Sequence, residues 1–576
     1  MNTSGSHSPS NHAIIQPQCS RRDVLTFGAA TALATAVSPM ARVLADTGAD
    51  RPNVVLITVD DMDFDELSPY SNGVFPCYTH AHKAGLIEAG RKPHFQNLRF
   101  LDKGEPAFYE DPQMLTPAME RVANEGVRFD RFYVTSSICT PSRYSILTGR
   151  YASRSQRFQQ TNPPGQRALV RWNTYLGPSE ANLGQTLGRA GYHTGHVGKW
   201  HLSPIPEGYW ARRDRIWSSD PHDPETQAAM RDEYARALQQ VRDDSGFDEV
   251  SRLYYTNKES LIVPGPMRVH NTAWVAEGAV RFIDREHKKP FFLHMGLTTP
   301  HGQYYRGWMH GDPRATPAGM LEAPPDVVPG RYEVVERLKD HGIDPRNAMA
   351  TSIDDAINAV LQSLDSRGIA DNTLLVVISD HQSRGKNACY EGARVPCLLR
   401  WPRNIRGGQR TSQILANIDL VPTILAAAGI NASSYPTDGE NMLPLITGPG
   451  RANARDGLML EVGASRAYVT EQWKYIANRP TDEAAQKMQE DAAQAQTRLD
   501  RRVDWQGFGN GHWGEEGTIF YRSRDFPGFF DRDQLYDLAA DPFEQVNRID
   551  DLPKIAAAAR EKLSAASKSL PHPFPI

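Results

Sequence analysis

Three stretches of the chain are nearly continuous in apolar residues and then stop at charged or imidazole side chains. They are NVVLITVDD from Asn53 to Asp61, PFFLHMGLTTPH from Pro290 to His301, and NTLLVVISDH from Asn372 to His381. A strand with one wet face alternates, whereas a strand covered on both faces does not, so these runs predict buried strands of a largely parallel sheet. Between them the apolar spacing changes to the helical period, over residues 116–126, 180–191, 272–286 and 352–368. Strands and helices alternating in this way predict a doubly wound α/β fold. Beyond residue 451 the pattern differs. SRAYVTEQWKYIANR alternates as half-exposed strands do, a polar Gln/Ala-rich helix is expected at 482–500, and a closing helix at 553–568.

The strand ends carry the chemistry. In open α/β sheets ligands bind just beyond the carboxyl ends of the strands. Here those ends hold Asp60 and Asp61, His301, and Asp380 and His381. One such pair alone reads equally well as a helix cap or a turn. Recurrence at three strand ends points to a site. Carboxylates on different strands suit a hard divalent cation, Ca²⁺ in the first place. The imidazole of His381 leaves Mg²⁺, Mn²⁺ and Zn²⁺ open.

Composition narrows the partners. The 576 residues are 40% hydrophobic and 23% charged, with a formal net charge of −4 and no extended basic block. Global attraction to nucleic acid or to an anionic membrane is therefore not expected, and an anion would need a local cluster. Residues 1–45 stand apart: Ser20-Arg21-Arg22-Asp23-Val24-Leu25 precedes a short Ala/Thr-rich apolar run and Val43-Leu44-Ala45. This segment resembles a twin-arginine export signal, which implies recognition by that export machinery and a periplasmic or secreted protein. No later stretch has the ~20 uninterrupted apolar residues of a membrane span, so stable insertion is not expected. The five cysteines, at 19, 77, 139, 389 and 397, form no CxxC pair, which disfavours a structural zinc site. In an oxidising compartment Cys389 and Cys397 could bridge.

One cysteine sits in a distinctive setting, SSICTPSRYSILTGR from Ser136 to Arg150. Pro141 suits the first turn of a helix, which places Cys139 just outside a helix N-terminus, where free N–H groups favour an anion. A tyrosine-phosphatase loop would need arginine where Ser145 stands. A cysteine protease would need a histidine base with an orienting partner, and the neighbouring features are instead cationic and suited to a metal.

Cys139-Thr140-Pro141-Ser142-Arg143, continued by Leu147-Thr148-Gly149-Arg150, resembles the signature of the formylglycine-dependent sulfatases of the alkaline phosphatase superfamily. The resemblance runs on through TPAMERVANEGVRFDRFYV, GYHTGHVGKWHL, TTPH, SDH, GKNACYEGARVP, IDLVPTILAAAGI and QLYDLAADPFEQVN. It implies an alkaline phosphatase-like α/β domain over 46–450, with a large mixed, mostly parallel sheet sandwiched by helices, and a smaller C-terminal α+β domain over 451–576. It also implies that a formylglycine-generating or sulfatase-maturating enzyme oxidises Cys139 to Cα-formylglycine, whose hydrate is a geminal diol. One diol oxygen attacks sulfur and releases the alcohol; the other then loses its proton and expels sulfate. On this pattern Asp60, Asp61, Asp380, His381 and residue 139 are the metal ligands. Arg143 stabilises the hydrated aldehyde, Lys199 and His201 lie beside the diol with His201 as base, and His301 and Lys386 contact the sulfate and the leaving oxygen.

Two features depart from the family pattern. Gln382 follows SDH where glycine is common, and residues 62–115 form a long insertion that reads equally as a pocket lid or as a surface segment. Trp505, Phe508, His512 and Trp513 lie in a Gly-rich stretch suited to reaching a pocket or to interdomain packing. The expected function is sulfate-ester hydrolysis on a sulfated small molecule or carbohydrate. Two alternatives are a phosphonate or phosphate ester hydrolase of the same superfamily and a catalytically silent binder of sulfated glycans.

Overall fold

The run from Asn53 forms strand β1 (Asn53–Asp60), near the middle of the main sheet. Val54 and Leu56 enter the core on one face, Val55, Ile57 and Val59 the core on the other, and all five are fully buried. Both faces are dry, so the sequence there is continuous rather than alternating. The computed structural model describes residues 51–64, 67–70, 114–301, 305–383, 386, 388, 390–448, 455–486, 528, 530–542 and 544–576. The expected export signal, nearly all of the 62–115 insertion, the predicted 482–500 helix beyond residue 486, Cys19, Cys77, Cys389 and the Trp505–Trp513 aromatics lie outside the described residues.

The strands that follow are β2 (Val127–Tyr133), β3 (His193–Lys199), β4 (Glu249–Tyr254) and β5 (Phe291–Pro300), then a two-residue hairpin of β6 (Ala315–Thr316) and β7 (Gly319–Met320). After it come β8 (Thr373–Ser379), β9 (Arg394–Arg400), β10 (Gln409–Thr411) and β11 (Leu415–Ala416). In space the main sheet runs β10, β2, β9, β8, β1, β5, β3, β4, with β11 also paired to β2. β1 is parallel to β5 and β8, β3 to β4 and β5, and β2 to β10 and β11. β9 is antiparallel to β2 and β8, which makes the sheet mixed and mostly parallel, as expected.

Helices cover both faces. One layer is built from α1 (Pro117–Asn124), which packs with two later helices on the Val55 side; the other holds α2 (Cys139–Thr148) and α3 (Leu183–Arg189) on the Val54 side. Next along the chain come α4 (Tyr209–Trp217), α5 (Pro224–Ser245), α6 (Thr272–Ile283), α7 (Ala348–Ser366) and α8 (Leu420–Ala427). α6 and α7 share the Val55 layer with α1, while α8 joins the Val54 layer. α1 is tied to α7 directly: the Ala118 and Met119 N–H groups donate to Asp354 Oδ2 and Oδ1 at 2.9 and 2.8 Å.

β3 is the strand whose sequence, HTGHVGK, conceals it. Its polar residues are buried because glycines let neighbours close in and histidines pair. A Cβ on Gly195 would lie 2.4 Å from the Phe282 ring, and His196 Nδ1 meets His294 Nδ1 of β5 at 3.0 Å. Cys397, in the middle of β9, is a free buried thiol.

The late alternating segment forms an antiparallel sheet of β12 (Leu458–Val462), β13 (Ser465–Val469), β14 (Trp473–Asn478) and β15 (Asp533–Asp537). α9 (Pro553–Ser567) packs on it through Ala556, Ala559 and Leu563 against Tyr475 and Leu535. Glu461 ties this sheet to the segments that follow β2 and α2: its N–H donates to Thr135 O at 2.8 Å, and its carboxylate accepts from Ser153 N at 2.9 Å. No helix among the described residues is long and apolar enough to cross a membrane.

Candidate active site

Because β1, β5 and β8 are parallel neighbours, their carboxyl ends open on one edge, and the residues at those ends meet there. Asp61 follows β1 with φ of 61°, a left-handed conformation uncommon for a residue with a side chain. Its N–H donates to Asp380 Oδ1 at 3.1 Å, joining the ends of β1 and β8. Asp63 continues the link, accepting from Ser383 N at 2.7 Å and Ser383 Oγ at 2.5 Å. Gln382, at the position where glycine is common, sends its side-chain N–H to Arg394 O at 2.6 Å and so anchors the turn to β9.

Cys139 follows β2, which runs the same way as β8, and is the first residue of α2, with Ile138 as the cap. It lies inside the helix rather than just before it, and Pro141 takes the third position of the first turn. Its Sγ lies 3.1 Å from His381 Nε2 and 3.7 Å from Lys386 Nζ. Ligand atoms of Asp60, Asp61, Cys139 and His381 all fall within 4.8 Å of one another. Asp60 Oδ1 is buried without a hydrogen-bond partner. A buried set of two carboxylates, an imidazole and a residue-139 side chain, with one carboxylate oxygen free of hydrogen bonds, fits a divalent cation. Asp380 lies alongside this set, its Oδ1 3.8 Å from His381 Nε2 and its Oδ2 accepting from Arg143 Nε at 2.9 Å.

Three cations surround the same point. Arg143 is 1% exposed; it also donates to Lys199 O at 3.2 Å and places Nη2 3.6 Å from Asp60 Oδ1. Lys199 ends β3 and pairs with Asp60 Oδ2 and with Asn257 Oδ1, the latter at 2.5 Å. Lys386 reaches Asp61 Oδ1 at 3.2 Å and His381 Nε2 at 2.8 Å. Burial opposes ionisation of Asp60 and Asp61, but Lys199 beside the first and Lys386 beside the second hold both carboxyls below their usual range. Burial likewise works against the Cys139 thiolate, and Lys386, His381 and Lys199 outweigh it and lower that thiol.

Two imidazoles complete the site with opposite tendencies. His201, in the left-handed region at φ 57°, is brought down to about 4 by burial and so stays neutral. His301 is half-buried, and desolvation works against its charge, but Asp60 and Asp61 outweigh that and raise it. Its Nε2 lies 3.8 Å from Asp61 Oδ2, and its carbonyl accepts from His270 Nε2 at 2.8 Å. Nδ1 of His201 and of His301 has no hydrogen-bond partner.

All ten predicted residues, Asp60, Asp61, Cys139, Arg143, Lys199, His201, His301, Asp380, His381 and Lys386, thus lie around one sheet edge. Sequence reasoning missed Asn257, Asp63 and His270, which hold Lys199, the Ser383 turn and the His301 carbonyl. Asn257 and His270 stand in no motif, and only Asp63, in DDMDFD, carried even a compositional signal.

The sulfatase family model matches residues 52–430. The chain is 29% identical to N-acetylgalactosamine-6-sulfatase of Homo sapiens over 366 residues, covering 60% of this chain and 63% of that one. It is 25% identical to an arylsulfatase of Hemicentrotus pulcherrimus over 395 residues, covering 62% and 61%. The chain therefore spans less than two thirds of the length of either relative. Its fold is similar, with a TM-score of 0.52 and 17% identity over 90% of this chain and 98% of the other, to a protein solved with its substrate D-glucosamine-2-N,6-O-disulfate. The matched span begins just before β1, ends just past α8 and contains every residue of the site; the chain belongs to the sulfatase family, within the alkaline phosphatase superfamily.

Proposed function

We propose that the protein is an exported, formylglycine-dependent sulfatase that hydrolyses a sulfate ester to an alcohol and inorganic sulfate. The observation that carries this reading is the convergence of the CTPSR cysteine, three carboxylates, three cations and three imidazoles at one sheet edge. A divalent cation, Ca²⁺ in the first place, would be held by Asp60, Asp61, His381 and residue 139 with Asp380 beside them, and would supply Lewis-acid stabilisation of negative oxygen. Formylglycine at position 139 would supply a hydrated aldehyde, one hydroxyl serving as nucleophile and the other expelling sulfate.

The chain's own groups then have defined work. Lys199 and Lys386 bind the sulfate oxygens and stabilise charge as it develops there. His301, which keeps its proton beside Asp60 and Asp61, donates it to the departing alcohol oxygen. His201, kept neutral by burial, accepts a proton beside residue 139. Arg143, fixed by Asp380 and the Lys199 carbonyl, orients Asp380 and adds positive charge next to residue 139. The relatives named for N-acetylgalactosamine 6-sulfate and the neighbour solved with a sulfated glucosamine favour a sulfated sugar as the substrate. The twin-arginine-like segment at 20–25 supports export to the periplasm or the cell exterior.

The test begins with purified protein whose residue 139 has been confirmed as an aldehyde by mass spectrometry. It is assayed on sulfated mono- and oligosaccharides, an aryl sulfate and a matched aryl phosphonate. Release of sulfate from a sugar or aryl ester at a higher kcat/KM than phosphonate hydrolysis is expected. Preference for the phosphonate, or binding with no turnover of any ester, would replace this reading with one of its alternatives.

A further inference from the structure

Two residues beyond Asn257, which holds Lys199, the backbone carbonyl of Glu259 is gripped by two guanidinium groups. Arg268 Nη1 donates to it at 2.9 Å and Arg213 Nη2 at 3.3 Å. At most about 7 Å separates the two Cα atoms along that stretch, so the grip lies close to the Lys199 side of the candidate active site. Trp210, Arg213 and Trp217 fall at i, i+3 and i+7 on α4 and share one face of it. Arg213 Cζ stands 5.4 Å from the Trp210 ring centroid and 5.1 Å from that of Trp217; Arg268 Cζ lies 3.2 Å from the Trp217 centroid. The four side chains form a ladder of alternating indole and guanidinium groups.

Two properties of this ladder are not explained by folding. Trp210 and Trp217 are 48% and 43% exposed, on a helix whose buried residues are Tyr209 and Ile216. Arg268 is only 9% exposed, yet its Nε has no hydrogen-bond partner, and neither does Arg213 Nε. The two guanidiniums repel one another: burial first, then Arg213, brings Arg268 down to about 10. The carboxylates beside them are committed or wet. Glu259 pairs with Lys258 at 2.6 Å, and Asp214, 69% exposed, pairs with Arg213 at 3.0 Å. Guanidinium is the side chain best suited to planar recognition of an oxyanion, and half-exposed indoles offer a flat apolar face beside it.

We propose that the Trp210–Arg213–Trp217–Arg268 ladder is a binding subsite for a second, anionic unit of a sulfated oligosaccharide whose first unit occupies the catalytic centre. The apolar face of the sugar ring lies on the exposed Trp210 indole, and its sulfate meets Arg213, with Arg268, held by the Glu259 and Leu261 carbonyls, adding positive charge behind it. This rests on the reading of the chain as a sulfatase, which it extends from a single ester to a chain substrate.

The binding arm uses the full chain carrying Cys139→Ala, titrated calorimetrically with tetrasaccharides from heparin, chondroitin sulfate and carrageenan. At least one is expected to bind, more weakly as salt is added, with Arg213→Ala and Trp210→Ala each lowering its affinity about tenfold. Arg213→Lys, which keeps the charge and loses the planar fork, should fall between. Failure of all three sugars to bind, equal binding of an unsulfated tetrasaccharide, or undiminished affinity in both variants overturns the subsite. A variant whose melting temperature shifts is replaced by Arg213→Gln or Trp210→Phe and judged by the same criteria. The turnover arm compares wild-type enzyme and Arg213→Ala on the bound tetrasaccharide and on a monosulfated aryl ester. The ratio of the two kcat/KM values should fall about tenfold in the variant; an unchanged ratio counts against the subsite. Should the wild type release sulfate from neither substrate while the ladder variants still lose binding, the sulfatase reading fails and the subsite stands.

Discussion

Lys199 is fully buried, with Asp60 and Asn257 meeting its ammonium. A hydrogen bond to a buried charge contributes about 1.5–3 kcal/mol, so Asn257→Ala should lower kcat/KM roughly 10- to 100-fold. Lys386 differs, because on the proposed mechanism it acts on charge that builds as the ester bond breaks. Lys386→Ala should cost about 10²-fold, with poor leaving groups losing more than nitrophenolate; equal losses across leaving groups would remove that role. Cys139→Ser tests the nucleophile itself. Serine offers one hydroxyl on its carbon and has no second to expel sulfate. At most one alcohol per enzyme should be released, with sulfate left as added mass on the peptide containing residue 139; sustained turnover would contradict the diol chemistry.

At the scale of elements, the site depends on how closely β3 approaches β5. Gly198 precedes Lys199 with φ of 87°, and a Cβ there would lie 1.9 Å from Gly296 O. Gly198→Ala combines backbone strain with a backbone clash and should cost more than about 3 kcal/mol in urea unfolding, or leave little folded protein. The α1–α7 junction makes a separate prediction. Asp354 accepts from two N–H groups at the start of α1, so its replacement by alanine should cost about 1–2 kcal/mol. Burial raises its carboxyl to about 8 from 3.8. The folded chain then holds a proton that the unfolded chain releases above about pH 4, so this group's contribution to stability falls as pH rises from 4 towards 8. Unfolding of wild type and Asp354→Ala at pH 5 and pH 8 should show a shallower decline in the variant.

For the molecule as a whole, the buried cluster of Asp60, Asp61, Cys139 and His381 ties β1, the turn after β8 and α2 to one point. A cation bound there at a hundred times its Kd would stabilise the fold by about 2.7 kcal/mol. Chelation should therefore lower the melting temperature as well as abolish activity. Ca²⁺ should restore both in wild type, and its thermal effect should be lost in Asp60→Asn. Much of this architecture was legible in the chain. The runs at 53–61, 290–301 and 372–381 became β1, β5 and β8 because a strand dry on both faces has no polar position to hide it. The motif residues were legible for a related reason: few side chains can bind an anion and a cation together, so their types and spacing are distinctive. β3 was not legible, since the pairing of His196 with His294 and the seating of Phe282 on Gly195 depend on partners about 90 residues away. Asn257 escaped notice on the same ground, as its role is a contact with Lys199 from a loop 58 residues on. The sequence by itself determined which residues have the chemistry for the site, and that β1, β5 and β8 carry Asp60, Asp61, His301, Asp380 and His381 at their ends. Only the tertiary structure decided that Asp380 faces Arg143, that Asn257 holds Lys199, and that Arg268 stacks on the Trp217 ring. Such contacts are set by the packing of distant segments, and no local pattern encodes them.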